Sequence, residues 1–232
     1  MANNVKKVNG IAIASIAKIN GQTDSDLAKI NGEEFTGVTD AHTLISTPLQ
    51  ISDGAQAAVT VTSGIDSTYD VYEFHFINIH PSTTASILAF QVDVSGSTSY
   101  NQTITSSAWE AEHGEDGSGG QEQYRSNRDL AQVSDDYQQL GEYIGNTGDD
   151  NDLSGSGILT IFEPSSDTFV KHWISTFSAA GNDIEQVSYH AGYINTTTAI
   201  DKIKFVMTPN DPSSVQGTIA SGTIKMYGLA KS

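Results

Sequence analysis

Residues 69–80, which read YDVYEFHFINIH, carry the longest strand signal in the chain. Tyr72, Phe74 and Phe76 occupy every second position of this segment, and Pro81 follows directly after it. Successive side chains of a β-strand point to opposite faces of the sheet, so a period of two residues is typical of a strand. The segment therefore predicts a long β-strand with at least one apolar and aromatic face.

Eight further segments between residue 57 and the C-terminus show the same features. They are rich in β-branched and aromatic residues, and most are separated by Gly, Ser or Pro. The segments are 57–62, 86–94, 101–109, 157–162, 168–177, 187–194, 200–207 and 221–230. No convincing amphipathic helix alternates with them, which argues against a parallel α/β sheet. We therefore predict an all-β fold, an antiparallel jelly-roll-like β-sandwich over residues 57–232.

Residues 110–157 interrupt this pattern with an insertion rich in glycine and acidic residues. Leu130, Val133, Tyr137 and Leu140 lie at near-helical spacing, so residues 126–143 are expected to form a short helix or an ordered loop. Long insertions in compact domains are often functional. We expect this acidic insertion to form an exposed or inter-subunit surface.

The N-terminal segment contains an internal repeat. Lys7-Val8-Asn9-Gly10 recurs after 11 residues as Lys18-Ile19-Asn20-Gly21, and after 11 more as Lys29-Ile30-Asn31-Gly32. Asn-Gly favours a type I′ turn, so each copy is predicted to end in a tight turn. Such a short ribbon is too small to be stable alone. Residues 1–34 are therefore either a flexible leader or an arm for attachment and oligomerisation, followed by a linker over residues 35–56. The predicted docking residues are Lys18, Ile19, Asn20, Gly21, Lys29, Ile30, Asn31 and Gly32.

Charge and composition exclude several classes of function. The formal net charge is −17, so a polyphosphate ligand would be repelled and nucleic-acid binding is not expected. The chain has no cysteine, which excludes disulfides, thiolate zinc sites and cysteine nucleophiles. No apolar run is long enough to predict a signal peptide or a membrane span. Residues 1–32 hold four Lys and two Asp, a net charge of +2, so the arm is expected to meet an acidic partner.

The second and third repeats, IAKING at residues 16–21 and LAKING at 27–32, resemble the repeated leader of virion proteins from tailed phages of aquatic bacteria, cyanophages among them. Residues 69–81, 171–175 and 191–197 also resemble structural proteins of this group. The resemblance implies a non-enzymatic tail fibre or other exposed appendage of the virion. A capsid fibre or decoration protein is the alternative. The resemblance further implies that the arm anchors the protein to other virion proteins. It also implies a homo-oligomer, with a trimer favoured.

No catalytic residue is predicted. The chain lacks a Gly-x-Ser-x-Gly elbow, and residues 154–157, SGSG, follow an acidic loop instead of a strand. Carboxylate pairs such as Glu110 and Glu112 supply the residue types that glycosidases use, but they lie in a polar, glycine-rich region that is expected to stay solvated. No cofactor is expected, and a depolymerising enzyme is disfavoured.

The sequence offers ligands for two kinds of metal site. Asp149, Asp150 and Asp152 offer oxygen ligands for calcium, although their spacing matches no standard calcium loop. His75 and His172, together with His190, lie in predicted strands, and neighbouring strands could bring two of these histidines together. Ordinary core or surface histidines are the alternative interpretation.

Four aromatic residues flank or lie in the insertion: Trp109, Tyr124, Tyr137 and Tyr143. They either pack the loop or stack against a glycan of the host surface. Trp173, Phe74 and Phe76 are interpreted as core residues. A carbohydrate-binding host-recognition module is therefore an alternative function, and it is compatible with the same fold and the same virion location.

Overall fold

The computed structural model describes residues 56–145, 153–181 and 183–229, with the short segments 7–8, 11–12, 18–19, 22–23, 29–30, 33–34, 42–45 and 49–51. The described residues form β-strands and turns, and none of them forms a helix that could cross a membrane. The chain divides into two compact units, Met1–His42 and Thr43–Ser232.

The described residues of the first unit form three small hairpins. β1 (Lys7–Val8) pairs with β2 (Ile11–Ala12), β3 (Lys18–Ile19) with β4 (Gln22–Thr23), and β5 (Lys29–Ile30) with β6 (Glu33–Glu34). In each hairpin the Asn-Gly pair of the repeat separates the two strands. The period of the sequence repeat is therefore the period of the hairpins. Asn20, Gly21, Asn31 and Gly32 lie outside the described residues.

Fourteen strands follow in the described part of the chain. Their bounds are β7 (His42–Leu44), β8 (Leu49–Ile51), β9 (Val59–Val61), β10 (Val71–Pro81), β11 (Ile87–Val94), β12 (Ile104–Gly114), β13 (Gln121–Tyr124), β14 (Ala131–Val133), β15 (Gln138–Gln139), β16 (Gly155–Phe162), β17 (Lys171–Gly181), β18 (Ile184–Ile194), β19 (Ile200–Thr208) and β20 (Ile219–Leu229). All nine predicted strands are present, and several of them, β12, β17 and β18 most clearly, extend further than predicted. The segment interpreted as a linker contains β7 and β8, and β8 pairs with β20.

The strands form two antiparallel sheets, which confirms the predicted β-sandwich. The large sheet has the order β13-β12-β18-β17-β16-β10-β20-β7, with β14 beside β12 and β8 beside β20, and the small sheet has the order β15-β11-β19-β9. The pairs β16/β17, β12/β18, β11/β19 and β10/β20 are nested, so that each pair lies within the next along the sequence. This nesting is the connectivity of a jelly roll. Three of these four pairs lie in the large sheet.

The hydrophobic core lies between the two sheets, and a group of aromatic side chains packs within its mainly aliphatic residues. The rings of Phe74 and Phe76 in β10 pack against Phe205 in β19, with centroids 5.4 Å and 5.1 Å apart. Phe90 in β11 packs edge-to-face on Trp173 in β17 at 5.3 Å. Edge-to-face packing of this kind stabilises a core beyond the burial of its area. The aromatic face predicted from residues 69–80 is the core face of β10.

The insertion contains no helix in its described part, residues 110–145 and 153–157. β13 returns beside β12, β14 adds to β12, and β15 pairs with β11 of the small sheet. Leu130 and Leu140 are both buried in the core. Their near-helical spacing therefore reflects separate turns that reach the same core, and the helix alternative for residues 126–143 was wrong.

Candidate functional site

Three exposed aromatic side chains form a row across the large sheet. Tyr124 in β13 is the cross-strand partner of Trp109 in β12, and Trp109 is the partner of Tyr189 in β18. Directly paired residues project from the same face of an antiparallel sheet, and adjacent strands lie about 5 Å apart. Trp109, Tyr124 and Tyr189 are 44%, 52% and 51% exposed. We call these three residues the aromatic row.

The aromatic row lines an open groove with a volume of about 340 Å³. Ile174, which is 50% exposed, and the small residues Ser107, Thr176 and Ala191 complete its outer lining. None of the described residues that line the groove is Asp, Glu, Lys or Arg. The groove is therefore an uncharged, partly apolar surface on a strongly acidic protein.

Hydrogen-bonding groups are available at this surface. The Tyr124 hydroxyl donates a hydrogen bond to the Asp129 carboxylate, and this bond raises the pKa of Tyr124, so the phenol stays neutral. Among the described residues, the Tyr189 hydroxyl and the Trp109 indole N–H have no hydrogen-bond partner. The two groups can therefore bond to water or to a ligand.

A buried charge cluster lies on the inner side of the same strands. Arg128 forms a bidentate pair with Glu142, with Nε–Oε1 and Nη2–Oε2 distances of 2.7 Å and 2.6 Å. Arg125 Nε donates to Glu142 Oε1 at 3.0 Å and lies 3.3 Å from Glu110 Oε2. Arg128, Glu142 and Glu110 are almost fully buried. We call these three residues, together with Arg125, the charge cluster.

The two carboxyl groups of the charge cluster have different affinities for protons. Burial, reinforced by the neighbouring Glu142, raises the pKa of Glu110 to about 7. Burial also opposes the ionised form of Glu142, but the hydrogen bonds from Arg128 outweigh it and lower the pKa of Glu142 below its ordinary value. Glu142 therefore carries the negative charge, and Glu110 is the proton-binding member of the pair.

The burial of Glu110 corrects the expectation that this carboxyl stays solvated. β12 continues to Gly114, so Glu110 falls on the inner face of a regular strand and its neighbour Trp109 on the outer face. Glu112 is only partly buried. Because Glu110 and Glu142 are both inaccessible to solvent, they do not form a carboxylate pair that a substrate could reach.

The three strand histidines do not meet at one site. His190 is buried on the inner face, where its Nδ1–H donates to the Gln139 carbonyl oxygen at 2.7 Å, and burial lowers its pKa to about 4. His172 is exposed in β17, and half-buried His75 contacts Glu73 at 2.9 Å in β10. β16 separates β17 from β10, so the structure brings no two of these histidines together.

The other predicted contact residues lie elsewhere. Tyr143 is half-buried and carries the Arg128 guanidinium over its ring at 5.1 Å, so it packs against the charge cluster. Tyr137 is half-buried, and its backbone N–H donates to the Pro212 carbonyl. Neither residue lines the groove. Asp149, Asp150 and Asp152 lie outside the described residues.

Sequence reasoning identified two members of the aromatic row, Trp109 and Tyr124, and missed Tyr189. In residues 187–194 the apolar Val187 and Tyr189 alternate with Ser188 and His190, so the pattern favours Tyr189 as a core residue. The structure has the opposite arrangement, with Ser188 and His190 buried and Tyr189 exposed. The sequence signal that could have identified Tyr189 is the pair of polar residues, Ser188 and His190, that flanks it, because polar residues at alternate positions can also form the inner face of a strand.

Comparisons with protein-family models, curated proteins and solved structures find no match to this chain.

Proposed function

We propose that the protein is a non-enzymatic structural component of a phage virion, and that its exposed β-sandwich binds a neutral oligosaccharide in the groove. The aromatic row carries this proposal. Aromatic rings offer flat apolar faces to the C–H faces of sugars, and Tyr and Trp add polar groups at their edges. Three such side chains on adjacent strands form a continuous aromatic platform on which sugar rings can stack.

The dimensions of the row suggest a ligand of at least two sugar rings. With strands about 5 Å apart, the outer members Tyr124 and Tyr189 lie about 10 Å from each other across the sheet. This span suits two linked hexoses better than one. The groove is open and shallow, which suits a segment within a longer chain.

Electrostatics favour an uncharged sugar. The chain has a formal net charge of −17, and the groove offers no Lys or Arg among its described lining residues. An acidic sugar would therefore be repelled at long range and would find no cation within the groove. A neutral glycan of the host surface meets neither obstacle.

The three hairpins of the first unit support attachment to the virion. Hairpins with two-residue strands have little stability on their own, so a partner surface would order them. Three equal hairpins can make three equivalent contacts, and linked contacts bind more tightly than one alone. We propose that the arm joins the protein to other virion proteins and to its own copies, with a trimer favoured. A tail fibre is the leading location, and a capsid fibre or decoration protein is the alternative.

The groove is tested by oligosaccharide binding to Trp109→Ala and to Phe169→Ala. Phe169 is 67% exposed and lies in a second depression beside Asp70 and Glu163, so it is a matched exposed aromatic outside the groove. On an array of neutral and acidic glycans, we expect binding to neutral glycans only. Trp109→Ala should weaken it at least about tenfold, a loss of about 1.4 kcal/mol, and Phe169→Ala should not.

Two outcomes would contradict the proposed groove. Equal loss in both variants would remove the groove as the binding site. The second outcome is that the parent protein binds no glycan, while Trp109→Ala lowers the mass of the oligomer in solution. That result would instead make the aromatic row an interface between copies of this chain.

The arm is tested by light scattering on the full chain and on a truncated protein that begins at Thr43, the start of the second unit. We expect an oligomer that falls to a monomer on truncation. An unchanged oligomer would assign assembly to the β-sandwich, and two monomers would contradict homo-oligomerisation.

A further inference from the structure

The aromatic row is one end of a longer line of outward-facing side chains that crosses the large sheet. Tyr189 in β18 is the cross-strand partner of Thr176 in β17, and Thr176 is the partner of Ile158 in β16. Both of these further residues are exposed, Ile158 to 40%. Directly paired residues stand side by side on one face of a sheet. The line therefore runs from Tyr124 to Ile158 over five adjacent strands, and we call it the extended row.

The extended row ends where charged groups begin. The next cross-strand partner of Ile158 is His75 in β10, which contacts the Glu73 carboxylate at 2.9 Å. Lys225 in β20 follows as the partner of His75. At the other end, β13 is the last strand of the large sheet among the described residues. The sheet thus provides a row of five uncharged side chains between an edge strand and a charged region.

The surface on both sides of the extended row is also uncharged. On β12, β18, β17 and β16, the nearest outer-face residues before and after the row are all Ser, Thr, Ala, Val or Ile. Most of them are small, so the larger side chains of the row stand above their neighbours. A long ligand on this strip would meet apolar surface and hydroxyl groups, and none of the acidic residues that dominate the chain.

The spacing of the row suits a straight chain of sugar rings. Adjacent strands lie about 5 Å apart, so the five members of the row span about 20 Å. The equatorial linkages of a β-linked glucan keep the chain extended, and each ring advances it by about one strand spacing. The axial linkages of an α-linked glucan curve the chain into a helix, which leaves a straight row after a few rings.

We propose that the extended row is a site for about four consecutive rings of a straight, neutral, β-linked polysaccharide that lies across the strands. The inference rests on the proposed function and deepens it, because it names the class of glycan and the length of the site. The aromatic row stacks against the first rings of the bound segment. Ile158 supplies apolar surface to the ring at the far end, and the Thr176 hydroxyl faces the ring between them.

The length of the site is tested by calorimetry of the full chain with cellobiose, cellotetraose and cellohexaose. Cellotetraose should bind at least about tenfold more tightly than cellobiose, because its additional rings reach Ile158. The number of binding registers alone explains a gain of no more than about threefold. Cellohexaose should gain no more than that over cellotetraose, since its further rings pass beyond the row. A gain within the register limit from cellobiose to cellotetraose would overturn the longer site.

The far end of the site is tested with Ile158→Ala and with Ile77→Ala as its matched control. Ile77 lies in β10 on the same face, is 42% exposed and is not a member of the extended row. Ile158→Ala should weaken the binding of cellotetraose roughly three- to tenfold and leave that of cellobiose unchanged, because cellobiose occupies the aromatic row. Ile77→Ala should change neither, and Trp109→Ala should weaken both.

Ile158→Thr keeps a β-branched residue in β16 and provides a second variant if alanine destabilises this strand. It should also weaken the binding of cellotetraose only. An equal effect of Ile158→Ala and Ile77→Ala, or an equal effect of Ile158→Ala on both sugars, would overturn the role of Ile158.

The linkage is tested with maltotetraose, a neutral α-linked probe of the same composition as cellotetraose. It should bind at least about tenfold more weakly than cellotetraose, and equal binding would overturn the β-linked class. Binding of another neutral glycan that depends on Trp109, with no binding of the β-linked probes, would overturn this inference and leave the proposed function intact. Absence of binding to any neutral glycan would overturn both. If, in addition, Ile158→Ala lowers the mass of the oligomer in light scattering, the strip is an interface between copies of this chain.

Discussion

The two halves of the large sheet distribute their side chains in opposite ways. In β10, which lies in the half with β20 and β7, Tyr72, Phe74 and Phe76 are buried in the core, while Glu73 and His75 lie on the outer face. This is the usual arrangement of a half-exposed antiparallel sheet, with apolar residues inside and polar residues outside.

Strands β12 and β18, in the half of the sheet that ends at β13, invert that arrangement. Glu110, Ser188 and His190 face inwards, and Trp109 and Tyr189 are exposed. Leaving a large aromatic side chain in water forgoes about 2 kcal/mol of burial, and burying polar groups is unfavourable unless they are hydrogen-bonded. Departures from local rules are expected where a protein has a function to perform. The contrast between the two regions therefore points to β12 and β18 as the functional surface.

The largest expected difference between the two regions is in stability. Phe74→Ala in the core face of β10 should lower the free energy of unfolding by about 4 kcal/mol, because it leaves a cavity beside Phe205. Urea unfolding measures this effect. A loss below about 1 kcal/mol would show that the core is loosely packed and would weaken the contrast.

The charge cluster should be nearly as important as the aromatic core. Arg128→Ala leaves Glu142 buried without its bidentate partner, and we expect a loss of about 3 kcal/mol in the same unfolding experiment. The double variant Arg128→Met/Glu142→Leu should recover much of this loss, since it removes both charges. If the double variant is as unstable as the single one, the cluster stabilises the protein by shape and not by charge pairing.

The pH dependence of stability should separate Glu110 from His190. The folded pKa of Glu110, about 7, is above its ordinary value of 4.5, so its contribution to stability is lost as the pH rises through this window. The folded pKa of His190, about 4, is below its ordinary value of 6.5, so stability is lost as the pH falls from 6.5 towards 4.

The two effects oppose each other between pH 4.5 and 6.5. The parent protein should therefore change little in stability over this range. Glu110→Gln should lose about 2 kcal/mol on acidification, and His190→Gln should gain a similar amount. Unfolding curves at several pH values measure both. If the free energy of unfolding changed with pH in the same direction in both variants, the opposite contributions assigned to Glu110 and His190 would be contradicted.

The smallest effect is expected in the groove. Trp109→Ala and Tyr189→Ala remove exposed rings, so each should change the free energy of unfolding by less than about 1 kcal/mol. Urea unfolding of these two variants and of Phe74→Ala compares their free energies of unfolding. A large loss in either variant would make the aromatic row part of the folded core and remove the argument for a binding surface.

The strands of this protein could be predicted because their signals are local. The alternation of Tyr72, Phe74 and Phe76 specifies both a strand and its core face, and Pro81 lies at its end. Predictions that depended on distant partners were less successful. Leu130 and Leu140 suggested a helix, because a near-helical spacing does not reveal that separate turns reach one core.

The sequence alone determined the strand content, the sandwich class and the 11-residue repeat, since backbone geometry imposes these periods on neighbouring residues. Only the tertiary structure decided which face of β12 and β18 is buried. Glu110 can lie inside because Arg125 accompanies it there, and Arg125 is held by Glu142 from another segment. The outward position of Trp109 accompanies that long-range pairing of charges, which no local pattern contains.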